Sequence, residues 1–195
     1  MFNLFNRSIN DLANTVLLSS PMISDPRFEH SVTYICDHDE HGAMGVVVNK
    51  LHDADWHTLL TDIEIATKGG SEHVVLDGGP VEPERGIIIH DGDTRWESTF
   101  SVGDQLAITS TKDILDAMAR NEGPRNAQLV LGYAAWSAGQ LESELASDAW
   151  ILVQPAEPRA VETLLFEIPA QHRWSWMLRQ LDFDFYQLSN ATGTA

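Results

Sequence analysis

Apolar residues along this chain gather in short runs and helical stripes, separated by polar stretches that carry Gly and Pro. Residues 31–36 and 43–49 are β-prone runs joined by DHDEHG, a pattern that predicts an antiparallel hairpin. Residues 15–20, 74–76, 86–90, 105–109 and 150–153 predict further strands by the same reasoning. Helices are expected where apolar positions recur every three or four residues. Partial spacing of that kind at Leu4, Phe5, Ile9 and Leu12 predicts a short leading helix within residues 2–14. Asp55 stands where it can cap a helix carrying Trp56, Leu59, Leu60 and Ile63, with Gly69 and Gly70 beyond its end. A second helix, capped at Ser110 or Thr111, is expected to bury Ile114, Leu115 and Met118 and to stop at Gly123 and Pro124. Val161, Leu164 and Leu165 mark a short helix, and Pro169 opens a last one with Trp174, Met177, Leu178 and Leu181 on one face.

The stretch from residue 128 to 150 joins both patterns. Residues 128–133 read as a buried strand, and an amphipathic helix follows at once. Ser137 and Gln140 have capping-box spacing, with Trp136 and Leu141 flanking them as a hydrophobic staple. Leu141, Leu145 and Ala149 then carry the buried stripe, while Glu142, Ser143 and Glu144 face water or supply charge. Two strand, helix, strand passages, one around Ile114 and one around Leu141, permit parallel pairing beside the antiparallel hairpin. The fold class is therefore mixed α/β. With no repeat, no low-complexity linker and no break in composition, residues 1–188 read as one compact domain and residues 189–195 as a flexible tail.

Charge narrows the partners. Twelve basic against 29 acidic side chains leave a formal charge of −17, which disfavours direct nucleic-acid binding and attraction to anionic membranes. No apolar run is long enough for a bilayer span or a secretory core, so a cytoplasmic protein without membrane attachment is expected. The single cysteine, Cys36, excludes an internal disulfide and fits a reducing compartment.

Candidate chemistry is sparse. AWSAG at residues 135–139 approximates a nucleophile elbow, and a serine hydrolase would use Ser137 with His172 and Asp148 or Asp182. Its first Gly is missing, however, and helix capping already accounts for the serine. DHDEHG matches the first half of a calcium loop, but its twelfth position is Val48 rather than a bidentate Glu. His30, His38 and His41 are read as turn residues rather than metal ligands, so neither metal nor cofactor is expected. Cys36 is read as core packing, and Gly78, Gly79 and Gly86 as turn chemistry. Arg27 and Arg85 stand out, because basic residues are scarce and both lie in Pro-containing loops beside Glu29, Glu82 and Glu84. They can receive a carboxylate or phosphate, or pin their loops through internal ion pairs.

Six blocks in order, SPMISDPRFE (20–29), SVTYICDHD (31–39), GAMGVVVN (42–49), GGPVEPERG (78–86), ITSTKDIL (108–115) and GYAAWSAGQLE (132–142), resemble the bacterial YqgE/AlgH family over nearly the whole chain. The resemblance implies a single compact domain with a strongly bent, barrel-like mixed sheet surrounded by helices, and it implies no reaction. Ser137 stands where members of that family usually carry Gly, and Thr194 replaces the His of their GlyHisAla ending. The resulting expectation is a non-catalytic binding or regulatory module that does not touch DNA itself. It would engage a protein or small anionic ligand through loops around Arg27, Asn49 and Arg85.

Overall fold

The computed structural model describes residues 2–4, 11–20, 23, 25–67, 72–157 and 159–181. The strands are β1 (Phe2–Leu4), β2 (Val16–Ser19), β3 (Val32–Asp39), β4 (Gly42–Val47), β5 (Val75–Asp77), β6 (Val81–Asp91), β7 (Thr99–Val102), β8 (Leu106–Thr109), β9 (Ala127–Ser137) and β10 (Trp150–Pro155). The helices are α1 (Trp56–Asp62), α2 (Lys112–Ala119), α3 (Gln140–Ala146), α4 (Ala160–Glu162) and α5 (Arg173–Gln180), with a π-helical turn at Thr163–Glu167. The strands form a single curled, half-barrel sheet in the order β1-β10-β2-β3-β4-β9-β6-β8-β7. Every neighbouring pair on that path is antiparallel.

Period-two alternation sorts the side chains onto the two faces. Val16, Leu18, Val32, Tyr34, Ile87, Ile89 and Val130 pack together on the inner face, where Val161, Leu164, Leu165, Ala170 and Met177 from the C-terminal helices plug the open side of the curl. Their neighbours in sequence point outward. Ile88, Leu129 and Leu131 meet α1 and α2 through Trp56, Leu60, Ile114 and Met118. Leu17, Ile35, Ala134 and Trp136 meet Leu141 of α3. The domain is thus α+β with helices on both faces of one sheet. Among the described residues no helix is long and apolar enough to cross a membrane.

Most of the expected elements are present, and the structure differs from the expectations at several points. Residues 2–4 pair with β10 as a strand instead of opening a helix, while residues 5–10 lie outside the described residues. The passage around Ile114 runs β8-α2-β9 with both strands parallel in direction, but β6 is inserted between them. The passage around Leu141 likewise places β10 away from β9, and the parallel pair that does form is β5 with β9. Strand β6 begins at Val81 and runs through Pro83, earlier than expected, and β7 had no counterpart in the sequence reading. Finally, Ser137 ends β9, and α3 is capped by Gly139 in the left-handed region without a side-chain cap. The reciprocal half of the capping box survives, since Gln140 Oε1 accepts the Ser137 amide proton at 3.0 Å. The proposed tail at 189–195 lies outside the described residues.

Candidate binding site

Strand β9 changes parity in its middle, and a stretch of close backbone-to-backbone packing is built there. Leu129 and Leu131 face α1 and α2, whereas Ala134 and Trp136 face α3. The odd step between these pairs falls at Gly132, whose φ is 70°. On the neighbouring strand β6, Val81 pairs with Tyr133 and the next pairing is Gly86 with Leu131. Residues 82–85 therefore leave the ladder as an outward excursion.

Glycine makes the crossing possible. A Cβ on Gly78 would stand 2.3 Å from the Gly132 carbonyl oxygen, and one on Gly79 would stand 2.4 Å from the Tyr133 carbonyl carbon. A Cβ on Gly132 would come within 2.4 Å of the Gly79 oxygen. Backbone lies directly on backbone here, a contact that only glycine permits. Glu82, at the start of the excursion, has a φ of 45°, an uncommon conformation for a residue other than Gly. Its carboxylate is held on both sides, accepting from the Tyr133 hydroxyl at 3.3 Å and from Arg85 Nη1 at 3.0 Å.

Two clefts open beside this segment. One, of about 280 Å3, is walled by Arg85 and Ile87 with Met44, Phe100, Ile108 and Tyr133. Phe100 is 51% exposed there, so an apolar surface lies next to a guanidinium. The other, of about 330 Å3, is walled by Arg27, Phe28, Lys50, Asp77, Pro80 and Pro83. Arg27 and Arg85 thus line separate clefts, and the 79–85 segment contributes to both. Each arginine is ion-paired, Arg27 to Asp25 at 2.6 Å and Arg85 to Glu82 at 3.0 Å. The side-chain hydrogen bonds from Arg27 hold the Asp25 carboxyl below its ordinary value. Both pairs are solvent-exposed, so water weakens them and a competing anion can displace them. Asn49 is committed differently. Its Oδ1 accepts from the Val32 amide at 2.7 Å and its Nδ2 donates to the His30 carbonyl at 2.8 Å, so both ends of its side-chain amide tie together segments of the fold. Lys50, Phe100 and Tyr133 were missed by reading the sequence; of these, only Tyr133 carried a signal, as an aromatic residue following a glycine within a strand.

A family model described as AlgH-like matches residues 16–186. The chain belongs to the AlgH-like family. A UPF0301 protein of Stenotrophomonas maltophilia is 44% identical over 184 residues, covering 93% of this chain and 95% of that protein. A UPF0301 protein of Idiomarina loihiensis is 40% identical over 190 residues, covering 96% and 100%. The solution structure of the AlgH protein from Pseudomonas aeruginosa matches with a TM-score of 0.77 at 33% identity over 98% of both chains. The crystal structure of protein DIP2367 from Corynebacterium diphtheriae matches with a TM-score of 0.70 at 19% identity over 95% and 94%, a likeness of fold alone.

In this AlgH-like chain the remaining candidates have structural partners. Ser137 pairs with Gly42 on the sheet, one position beyond the pair of Trp136 with Ala43 and His38, so Ser137 and His38 sit on opposite faces. Among the described residues no hydrogen bond joins Ser137 to His172 or Asp148, and Asp182 lies outside them. The His38 side chain is buried with its tautomer set by its neighbours: Nδ1 accepts from the Leu12 amide at 3.2 Å, so Nε2 carries the proton donated to Glu142 at 2.9 Å. His30 lies against Trp174 with ring centroids 5.4 Å apart and the rings tilted by 43°, and no group of three or more His, Cys, Asp or Glu converges among the described residues. Cys36 is fully buried, and burial pushes its thiol far above the ordinary value.

Proposed function

We propose that this chain is a non-catalytic binding module whose contact surface is the 78–86 crossing and the clefts on its two sides. The ligand is an anionic group, borne by a protein segment or a small molecule, that displaces Glu82 from Arg85 while an apolar portion covers Phe100. The observation that carries this reading is the excursion at residues 82–85, in which a left-handed Glu82 is bonded to Arg85 and Tyr133, two residues of a cleft that joins this cation to an exposed aromatic ring. Backbone strain held in place by dense packing on an exposed loop is a common mark of binding surfaces. Lys50 and Arg27 offer a second cationic contact on the other side of the crossing. With a formal charge of −17, a regulatory role for such a module runs through protein or metabolite contacts rather than through nucleic acid.

The test is amide chemical-shift mapping during titration with carboxylate and phosphate compounds, alongside affinity capture of partners by wild type and by Arg85→Gln and Phe100→Ala variants. The expected result is a perturbed set of amides centred on residues 79–86 and 133, with ligand response or partner recovery reduced about tenfold in either variant. Shifts confined to other surfaces, or capture unchanged in both variants, would overturn the assignment.

A further inference from the structure

Arg173, the first residue of α5, is only 3% exposed and lies in the wall of a different cavity. It has three acceptors, all backbone carbonyls: Ile168 receives Nε–H at 2.9 Å, Val48 receives a proton from Nη1 and Leu165 one from Nη2. A guanidinium offers five N–H donors, so two remain beyond these three bonds. The carbonyls of Leu165 and Ile168, at the end of the π-helical turn, supply partial negative charge but no full counter-ion. Burying a cation without an anion is costly, and folded chains seldom leave one so. Desolvation lowers the Arg173 pKa to about 10, which leaves the group charged at neutral pH.

The cavity beside it has a volume of about 380 Å3 and also takes in His73, Arg125, Asn126 and Gln128. Arg125 is exposed at its mouth. The exposed arginines at 27, 85, 120 and 159 are each paired with a carboxylate, whereas among the described residues the exposed Arg95, Arg125 and Arg179 and the buried Arg173 form no ion pair. Arg173 is the buried one of these four, and it shares its cavity with Arg125 in a chain that has 29 acidic side chains available for pairing. Glu72 and Glu167 also line the cavity, and both are exposed, at its rim rather than against the buried charge.

We propose that this cavity binds a small oxyanion, a carboxylate or phosphate group, seated against the free N–H groups of Arg173 and closed over by Arg125. The ligand supplies the charge balance that the fold withholds from Arg173. Because Arg173 also bonds the end of β4's extension at Val48 to the C-terminal helices, occupancy of the cavity fixes the packing of those helices against the inner face of the sheet.

The test is NMR titration of the 15N-labelled protein with inorganic phosphate and, separately, with citrate, following the Arg173 Nε–H signal and the amides of residues 126–128 and 168–173. Saturable movement of these signals is expected, stronger with phosphate if the ligand is a phosphate compound and with citrate if it is a carboxylate. Arg125→Gln, an exposed substitution that leaves the carbonyl cage intact, should weaken the response about tenfold. Arg173→Lys should abolish it if the variant folds, which its one-dimensional spectrum reports. Failure of both anions to move the Arg173 signal in a saturable way would overturn the proposal, as would an undiminished response in Arg125→Gln. Arg85 takes no part in this site, so the result is independent of the contact surface proposed above.

Discussion

One carboxylate, Glu144, fastens α3 to the sheet. Its Oε2 accepts the indole N–H groups of Trp136 and Trp150, each at 2.8 Å, and its Oε1 accepts from Gln140 Nε2 at 2.9 Å. The two indoles meet edge to face with centroids 6.0 Å apart, so a single side chain orders an aromatic pair that spans β9 and β10. Removing it leaves two half-buried N–H donors without their acceptor. Glu144→Ala is therefore expected to cost about 1–3 kcal/mol in urea unfolding. Ser137→Ala is expected to shift the same midpoint by no more than about 0.5 kcal/mol, since the Ser137 hydroxyl makes no helix cap. A large loss in the serine variant would restore it as a cap. The spacing of Ser137 and Gln140 correctly announced a contact between them, but not its direction. The capping box requires a residue in extended conformation directly before the helix, and here Gly139 takes that position.

At the scale of elements, the crossing of residues 78–86 over β9 depends on glycine for two separable reasons, left-handed backbone and lack of space. Gly132 combines both, with φ at 70° and backbone atoms of Gly79, Val81 and Pro83 around the missing Cβ. Gly139 has almost the same φ, 73°, and nothing within 4 Å. Gly139→Ala should then cost about 1 kcal/mol, the left-handed penalty alone, and Gly132→Ala about 3 kcal/mol or more because its neighbours are main chain and cannot move aside. Equal losses in a denaturant series would mean that the crossing is looser than the contact distances indicate. This crossing was only partly legible in the sequence. GGP marks a turn, and PER reads as loop, because Pro and charge oppose strand formation unless the ladder is interrupted. The interruption is a pairing across strands, which no local pattern records. Thr99–Val102 escaped notice for a related reason: it is an edge strand with one neighbour, and its Phe100 faces the cleft rather than a core. The Arg85 cleft is assembled from β4, β6, β7, β8 and β9, and the Arg27 cleft from β4, β5, β6 and the loops around residues 27, 50 and 80, so Arg27 and Arg85 could be nominated one by one, but their separation into two sites could not.

The molecule as a whole couples its curl to a neutral histidine. His90 is fully buried on β6 and closes a chain of hydrogen bonds through the last strands of the sheet. Its Nδ1–H donates to the Asp91 carbonyl at 2.7 Å, so Nε2 must accept from the Thr109 hydroxyl at 2.9 Å. Thr109 in turn accepts from Thr99 at 2.9 Å, and Thr99 accepts from the Trp96 amide at 2.7 Å. β6, β8 and β7 are thus locked by a chain whose donor order holds only for uncharged imidazole. Burial lowers the His90 pKa, and the same cause lowers that of His73, which meets Trp56 edge to face. Unfolded, both imidazoles take up protons near pH ~6.5; folded, they do so only at lower pH. Between those points the unfolded chain holds more protons, so stability is complete above that pH and falls as acid is added. The carboxylates act in a lower window. Hydrogen bonds from Arg27 to Asp25 and from the Thr58 amide to Asp55 lower both acids, so their contribution persists until pH falls through the ordinary Asp value of ~3.9 and below. Urea midpoints measured from pH 7.5 downward should therefore decline in two stages, the first beginning near pH ~6.5. His90→Gln should flatten the first stage without removing it, since His73 still titrates, and should leave the second in place. A midpoint that stays level down to pH ~5 in the wild type would show that the imidazoles accept protons in the folded state as readily as in the unfolded one, and that the chain of hydroxyls reverses its donors at little cost.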